Sequence, residues 1–441
     1  MLAPAECREH SEPMEMDMKT WSIPLALFLL ALNVRGELTA AQISPAEQKI
    51  ALAEQAIKKN PEKYQPYIDL GMALARRARE TSDASYYARA EEVLKNAFRL
   101  APGNFAAQKV DLWILLGKHE FARAREEALE LNHRMPDDVQ VYGFLTDANV
   151  ELGNYEEAEK AAQWMLDIRP GNLAGLTRGA YLRELMGDIE GAKALMVEAY
   201  EETPATETED RAWVLTQIAH LELETGKVDA AEKLLEAALG LYPRYHYALE
   251  SLAKVRIAQE RYEDAVGLLR LRNENSPQPE SICAMAETLD LAGRSDEAKA
   301  AYAEFEQKAR RQMDVADNAN RELIFYYADH AHDPAEALRV ARMEIGRRHD
   351  AFTLDAYAWA LYATGEYAEA RRQIDHALAF GLRDAKFFYH AGVISSKLDD
   401  RPAGVRFLKQ SLELNPLGEY STTARKILDG LASGNELPTR L

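Results

Sequence analysis

The chain has 441 residues, of which 47% are hydrophobic and 28% are charged, and its formal net charge is −19. This composition is typical of a folded protein, and the acidic excess argues against nucleic acid or an anionic membrane surface as the main partner. Cys7 and Cys283 are the only cysteines, too few for a zinc-finger or redox motif.

Near the start of the chain, Met18 and Lys19 precede an apolar run, Trp21–Val34, and small residues follow at Ala40 and Ala41. A basic residue, a short apolar run and small residues are the plan of a secretory signal peptide. The run is shorter than the roughly 20 residues that span a bilayer. We therefore expect an exported, periplasmic protein.

The leader is predicted to cover residues 1–41, with the true start at Met18 because the residues before it are acidic. Cleavage is expected after Gly36, Ala40 or Ala41. The alternative is an uncleaved leader whose residues 21–34 anchor the protein in the inner membrane, which is the only membrane association expected.

A proline period organises the chain after the leader. Pro102, Pro136, Pro170 and Pro204 are spaced by 34 residues each, and Pro243 and Pro277 are 34 residues apart again. Proline ends a helix because it lacks the amide hydrogen and clashes with the preceding turn. The period therefore marks the ends of repeating helical units.

Between the prolines a second pattern recurs in phase, and Leu152–Asn172 (LGNYEEAEKAAQWMLDIRPGN) shows it clearly. It places glycine, an aromatic residue and alanine at Gly153, Tyr155 and Ala158, and again at Gly365, Tyr367 and Ala370. In these residues the chain resembles the tetratricopeptide repeat. The resemblance spans roughly residues 44–430 and implies an all-α, right-handed superhelical solenoid of about ten stacked antiparallel helix pairs.

Alignment on these positions gives ten units, which start near Tyr64, Gly103, Val139, Leu173, Ala212, His246, Pro279, Asn318, Ala351 and Ala385. The expected organisation is a half-repeat helix at 42–63, units 1–4 at 64–210, units 5–7 at 211–310, units 8–10 at 311–416, and a capping helix and tail at 417–441.

Small residues recur at two positions of the unit. The eighth position holds Gly71, Ala180, Ala219, Ala253, Ala286, Ala358 and Gly392, and the twentieth holds Ala90, Ala122, Ala158, Ala192, Ala231, Ala265, Ala298, Ala337 and Ala370. Helices that pack 8–10 Å apart leave no room for a larger side chain where they cross. These positions are therefore predicted to be buried at helix crossings.

Several segments depart from the repeat. Arg77–Tyr86 adds length to the first unit, either as longer helices or as a loop, and the acidic run Thr203–Asp210 is predicted to be a hinge. The eighth unit starts late, at Asn318, and no proline closes the seventh. Ser44 resembles the N-cap of an opening helix, and Tyr420–Leu431 is predicted to close the solenoid.

The resemblance and the stacking geometry together place the first helix of each unit on the concave face. The side chains expected there are Tyr181, Trp213, His220, Tyr247, Glu250, Lys254, Tyr326, Phe352, Asp355, Trp359, Tyr362 and Tyr389. Exposed aromatic side chains favour peptide recognition. We predict that Tyr326, Phe352, Asp355, Trp359, Tyr362 and Tyr389 bind an extended peptide or another protein.

Other functions have weaker support. The lysine–asparagine pair with which some family members hold a C-terminal carboxylate is missing from adjacent units, and Asp329–Asp333 (DHAHD) has a spacing poorly suited to a metal. No catalytic or phosphate-binding motif is present, so we expect a scaffold with no cofactor. The alternatives are a periplasmic adaptor in polysaccharide or outer-membrane export, and an enzyme whose site is built on the concave face.

Overall fold

The computed structural model describes residues 44–433, which contain 22 α-helices, one π-helix and no strand. The first half has α1 (Pro45–Lys59), α2 (Gln65–Thr81), α3 (Ser85–Leu100), α4 (Phe105–Gly117), α5 (Phe121–Arg134), α6 (Val139–Glu151), α7 (Tyr155–Ile168), α8 (Leu173–Leu185), α9 (Ile189–Glu202), α10 (Thr208–Glu224) and α11 (Val228–Leu241). The second half has α12 (His246–Ala258), α13 (Tyr262–Asn275), α14 (Pro279–Leu291), α15 (Ser295–Gln312), α16 (Asn320–Phe325), the π-helix (Tyr326–His330), α17 (Pro334–Ile345), α18 (Ala351–Ala363), α19 (Tyr367–Ala379), α20 (Ala385–Lys397), α21 (Arg401–Leu414) and α22 (Ser421–Ala432).

These helices form the predicted all-α solenoid: α1 opens it, ten helix pairs follow from α2–α3 to α20–α21, and α22 closes it. Six first helices begin at the predicted residue, namely Val139, Leu173, His246, Pro279, Ala351 and Ala385. No helix in the described range is long and apolar enough to cross a membrane. The predicted signal peptide lies outside that range.

The repeat sets the helix starts through N-caps. The side-chain oxygens of Asn104, Asp138 and Asn172, each two residues after a proline of the 34-residue period, accept hydrogen bonds from the amides of Ala107, Val141 and Gly175 at 2.7–3.0 Å. Each bond satisfies one of the amides that a helix leaves unpaired at its start. Ser44 is the predicted N-cap of α1, and it forms a capping box with Glu47.

The predicted small residues lie at the helix crossings, with one exception. All seven at the eighth position are buried, and eight of the nine at the twentieth, including Ala231, are 0% exposed. Ala122 was predicted wrongly, since it is exposed and Ala124 takes the buried position. The reason is the cap at Asn104, which starts α4 at Phe105 rather than at Gly103.

The irregular segments are helical only in part, since residues 82–84 and 203–207 form turns. The extra residues of the first unit lengthen α2 to 17 and α3 to 16 residues. The acidic run predicted to be a hinge starts α10 at Thr208, four residues before the predicted unit start. In the eighth unit the first helix is only six residues, α16, and continues as the π-helix.

The superhelix contacts itself after one turn. The amide of Ala351 donates to the Tyr155 hydroxyl oxygen at 3.3 Å, and the Gln278 side-chain amide donates to the Ser82 carbonyl at 2.6 Å, both across 196 residues. That separation is between five and six repeats of 34 residues. Successive turns of the solenoid therefore pack directly on each other.

Gly153, from the repeat pattern, has a second role at this contact. Its φ of +77° favours glycine, and a Cβ built on it would lie 3.2 Å from the Asp350 Cα one turn later. A side chain here would hold the two turns apart.

An ion-pair cluster joins α2 to the start of α10. Arg79 contacts Glu209 and Asp210, while Arg76 lies 2.8 Å from Glu207 and 2.7 Å from Asp210. Glu209 is only 1% exposed and also accepts a hydrogen bond from a tyrosine hydroxyl. The predicted hinge is therefore tied to the first turn, which restrains it.

Candidate functional site

First helices from different turns enclose two cavities inside the superhelix, with volumes of about 300 and 330 Å³. Tyr181 of α8, Phe352 of α18, and Asp384 and Lys386 at the start of α20 line both cavities. Because α8 and α18 lie one superhelical turn apart, these cavities exist only where the turns stack. Their size is at the lower end of that of ordinary ligand sites.

Four of the residues predicted on the concave face line these cavities: Tyr181, His220, Phe352 and Asp355. Phe352 is half-buried, and its ring packs 5.1 Å from that of Phe387. The Tyr181 side chain remains 39% exposed, although protein surrounds the cavity into which it points. Phe352 and Tyr181 are therefore the aromatic rings that a ligand in the interior would meet.

The expected exposure of three predicted binding residues is wrong. Asp355 is 1%, Tyr389 3% and Trp359 4% exposed. Trp359 and Tyr389 pack in a cluster with Ala424 and Ile427 of the closing helix α22, which covers them. Whether these residues affect partner binding stays a prediction, and they do not form an open aromatic surface.

Tyr362 is half-buried beside this cluster, whereas Tyr326 is half-buried against the larger core cluster that contains Tyr302. The Tyr362 ring stacks on Trp359 at 4.6 Å, and the Tyr326 ring stacks on Tyr302 at 5.3 Å. Tyr326 is the first residue of the π-helix. Both side chains are thus held by neighbouring rings, and neither lines the two cavities.

Asp355 forms a buried pair with His390 of α20. The His390 Nδ1 lies 2.7 Å from the Asp355 carboxylate, and its ring stacks on Trp359 at 4.1 Å. His390 is 0% exposed, and its Nε2 has no hydrogen-bond partner in residues 44–433. Sequence analysis missed His390 because its position in α20 was not among those assigned to the concave face.

The side chains of the DHAHD segment contact different partners. The Trp359 indole N–H donates to the Asp329 carboxylate at 2.9 Å, whereas His330 lies 3.0 Å from the Tyr302 hydroxyl oxygen. The π-helix turns these adjacent side chains to different neighbours. Between residues 44 and 433 no group of three or more potential ligands is placed to hold a metal ion.

Acidic side chains dominate the lining of the two cavities. They contribute eight carboxylates, Glu151, Glu184, Glu224, Glu322, Asp350, Asp355, Asp384 and Glu419, against three cationic side chains, Arg321, Arg383 and Lys386. Within the described residues, no lysine, arginine or histidine forms an ion pair with Glu322 or Glu419. The Lys386 ammonium lies 3.5 Å from the Phe325 ring centre, and no carboxylate in the described part of the chain is within ion-pair distance of it.

Burial and the nearby negative charges also raise the pKa values of two further carboxylates, both on α14. Burial, followed by repulsion from Glu322, raises the pKa of Glu280 to about 7. Burial, followed by repulsion from Glu419, raises the pKa of Glu287 to about 7. Both groups are therefore partly protonated near neutral pH.

His220 is the one histidine among the described residues that line the cavities. Burial opposes its charged form, but the hydrogen bond and charge of Glu184, 3.0 Å away, and the charge of Glu224 outweigh burial and raise the His220 pKa. Burial raises the pKa of Glu224. The interior thus holds protons more strongly than the same side chains would in water.

Comparison with known proteins agrees with the repeat seen in both sequence and structure. The family model described as tetratricopeptide repeat matches residues 113–172 and 216–277. The chain therefore contains tetratricopeptide repeats. No curated protein sequence matches this chain.

Solved structures resemble this chain at low identity. The APC/C hetero-tetramer Cut9–Hcn1 is 12% identical with a TM-score of 0.45, and the match covers 88% of this chain but only 60% of that one. Human IFIT1, as a monomeric mutant with Gppp-AAAA, is 13% identical with a TM-score of 0.49, covering 84% and 87%. The thermophilic repeat protein TTC0263 of Thermus thermophilus is 21% identical with a TM-score of 0.37, covering 42% and 99%.

Proposed function

We propose that this protein is an exported, non-catalytic scaffold that binds an extended segment of a partner protein inside its superhelix. The observation that carries the proposal is the position of Tyr181 and Phe352, whose rings line two interior cavities formed by stacked turns. Aromatic rings bury a large area at little entropic cost, which suits peptide recognition.

The size of the cavities favours an extended chain as the ligand. Each cavity holds about 300–330 Å³, which admits a few side chains but not a folded domain. A peptide in extended conformation places side chains alternately on its two sides. It could therefore occupy both cavities, passing over the Tyr181, Phe352, Asp384 and Lys386 side chains that they share.

The buried Asp355–His390 pair supports a role without catalysis. An aspartate that orients a histidine is also part of hydrolytic triads, but there the imidazole faces the substrate. Here the two residues are 1% and 0% exposed, and Trp359 covers the imidazole ring. The pair is placed to stabilise the packing of α18 against α20.

Site-specific photocrosslinking in the native cell envelope tests the proposal. A benzophenone amino acid would replace Tyr181 in the full chain, and Leu129 of α5, which is 38% exposed on a second helix, would serve as the matched site. We expect a protein cross-linked from position 181 alone, with the linkage mapped to an extended segment. Equal capture from both positions, or capture from neither, would refute interior binding.

The same experiment distinguishes the polysaccharide-export alternative. A glycan cross-linked at position 181 would resist protease digestion and react with periodate. That product would replace the protein-scaffold proposal by the adaptor role.

Export rests on the sequence of the leader and has its own test. We expect the protein to be recovered from the periplasm with a mature N-terminus at residue 37, 41 or 42. Mass spectrometry of the intact protein decides this. A protein that retains residues 21–34 and sediments with the inner membrane would show the anchored form instead.

A further inference from the structure

The interior of the superhelix has an unbalanced charge. Its two cavities are lined by eight carboxylates and three cationic side chains, and two of those carboxylates, Glu322 and Glu419, form no direct ion pair within the described chain. An enclosed surface of one charge sign concentrates ligands of the opposite sign.

The cation that the two cavities share does not neutralise this excess. Lys386 is shared by both cavities, yet its ammonium lies over the Phe325 ring at 3.5 Å and forms no ion pair with any carboxylate of residues 44–433. Arg321, which lines the second cavity, lies 3.9 Å from Asp350, and its charge is shared among Glu322, Asp350, Glu151 and Glu344. One arginine does not balance four carboxylates, so Glu322 and Glu419 remain able to pair with a positive charge from outside the chain.

Like charges also repel each other beside this space. Glu280 on α14 is repelled by Glu322, and Glu287 on the same helix by Glu419, and with burial this raises both pKa values to about 7. Removal of one carboxylate would relieve the repulsion, and so would a bound cation. The interior is therefore in a state that binding of positive charge stabilises.

Aromatic rings complete the recognition surface. Tyr181 is 39% exposed within a cavity that also contains Glu184, and Phe352 lies in the same lining. The alkyl part of a lysine or arginine packs on such rings while its charged end reaches a carboxylate. A cation without an alkyl chain would contact the carboxylates but would not pack on the aromatic rings.

We propose that the segment bound in the interior is cationic, an extended peptide whose lysine or arginine side chains lie on Tyr181 and Phe352 and pair with Glu322 and Glu419. This inference rests on the proposed function, since it specifies the chemistry of the ligand at the same site. Charge complementarity with the cavity lining selects this ligand over an acidic peptide, which the interior would repel.

Fluorescence anisotropy with three labelled peptides of about 12 residues tests the proposal. Arginine, glutamine or glutamate alternates with alanine and serine in otherwise identical sequences. With the full chain at about 0.15 M salt, we expect the arginine peptide to bind at least about tenfold more tightly than the glutamine peptide.

Two variants of equal charge locate the binding. Glu322→Gln with Glu419→Gln should weaken the arginine peptide about tenfold. Glu130→Gln with Glu157→Gln removes two exposed carboxylates on second helices and should leave its affinity unchanged. Tyr181→Ala should weaken the arginine and glutamine peptides alike, and circular dichroism of each variant confirms its fold.

The other outcomes separate this inference from the proposed function. If the glutamine peptide binds as tightly as the arginine peptide and Tyr181→Ala weakens both, interior binding stands and the cationic ligand is refuted. If the outer pair weakens binding as much as the inner pair, only the overall charge acts and the site is refuted. If the glutamate peptide binds best, or no peptide binds at about 100 µM, the cationic ligand is likewise refuted, and crosslinking at position 181 then decides the proposed function separately.

Discussion

Replacing Glu280 and Glu287 by glutamine should change how the stability of the protein depends on pH. Both carboxylates have an ordinary pKa of 4.5 and a pKa of about 7 in the folded protein. At about pH 6 the unfolded chain has already released these protons, whereas the folded chain releases them only as the pH rises through 7. The contribution of these two groups to the free energy of unfolding therefore falls as the pH rises from about 4.5 to about 7.

The magnitude follows from the same values. Between about pH 6 and about pH 8, one such carboxylate lowers the free energy of unfolding by about 1.3 kcal/mol. Water reaches both side chains in part, so we expect about 1–2 kcal/mol for the two together rather than the full sum. The double variant Glu280→Gln with Glu287→Gln should lose this decrease and should be more stable than the wild type at about pH 8.

The groups that face these carboxylates are unchanged in the variant. They include Glu322, Asp317 and Arg272 near Glu280, and Glu419 and Lys386 near Glu287. Differences between variant and wild type at each pH therefore report the two replaced groups, while titration of the neighbours largely cancels.

Urea-induced unfolding at several pH values is the assay, followed by circular dichroism and by tryptophan fluorescence because repeat arrays can unfold in stages. Glu130→Gln with Glu157→Gln, which replaces two exposed carboxylates, is the control. If the Glu280/Glu287 variant and the wild type lose stability in parallel between pH 6 and pH 8, the account of the charged interior is refuted.

Three further predictions concern packing. Ala231→Asp buries an unpaired carboxylate at a helix crossing, where Ala231 is 0% exposed, and should lower stability by several kcal/mol. Ala237→Asp, on the exposed side of the same helix, should leave the circular-dichroism melting curve nearly unchanged. Equal melting curves for the two variants would contradict the alignment. Arg79→Met leaves the buried Glu209 without its main partner and should cost about 3 kcal/mol in urea unfolding, and a loss below about 0.5 kcal/mol would show that the ion pairs between turns contribute little. Gly153→Ala places a Cβ where φ is +77° and the next turn is close, so it should lower stability by about 1–2 kcal/mol, and an unchanged unfolding midpoint would disprove the tight contact.

The local structure was largely predictable from the sequence because it depends on neighbours within one repeat. Proline, cap residue and apolar period together set where Val139 and Leu173 start their helices. The small side chain of Ala231 is required at a crossing whose partner helix lies in the same unit. The second unit was misaligned by two residues because the cap at Asn104 was not used.

The candidate site was predictable only in part because it depends on distant units. Phe352 and Tyr181 were expected on the concave face from their positions in the first helices, and both line the interior. The burial of Trp359 by α22 could not be read from the repeat, since α22 lies outside it. The stacking of Tyr155 on the turn that holds Ala351 depends on small rotations summed over 196 residues, which no local pattern specifies.

The contacts between residues 196 positions apart also change how the array must fold. In an open solenoid each repeat contacts only its neighbours, so stability is roughly a sum of terms along a line. Here Tyr155 and Ala351 join units that are five to six repeats apart, and damage at one end of the array weakens the other. Contacts of such long sequence separation form late, because the loop between them must first be closed. Individual helix pairs should therefore form quickly, while the docking of the second turn on the first sets the folding rate and makes unfolding a collective event.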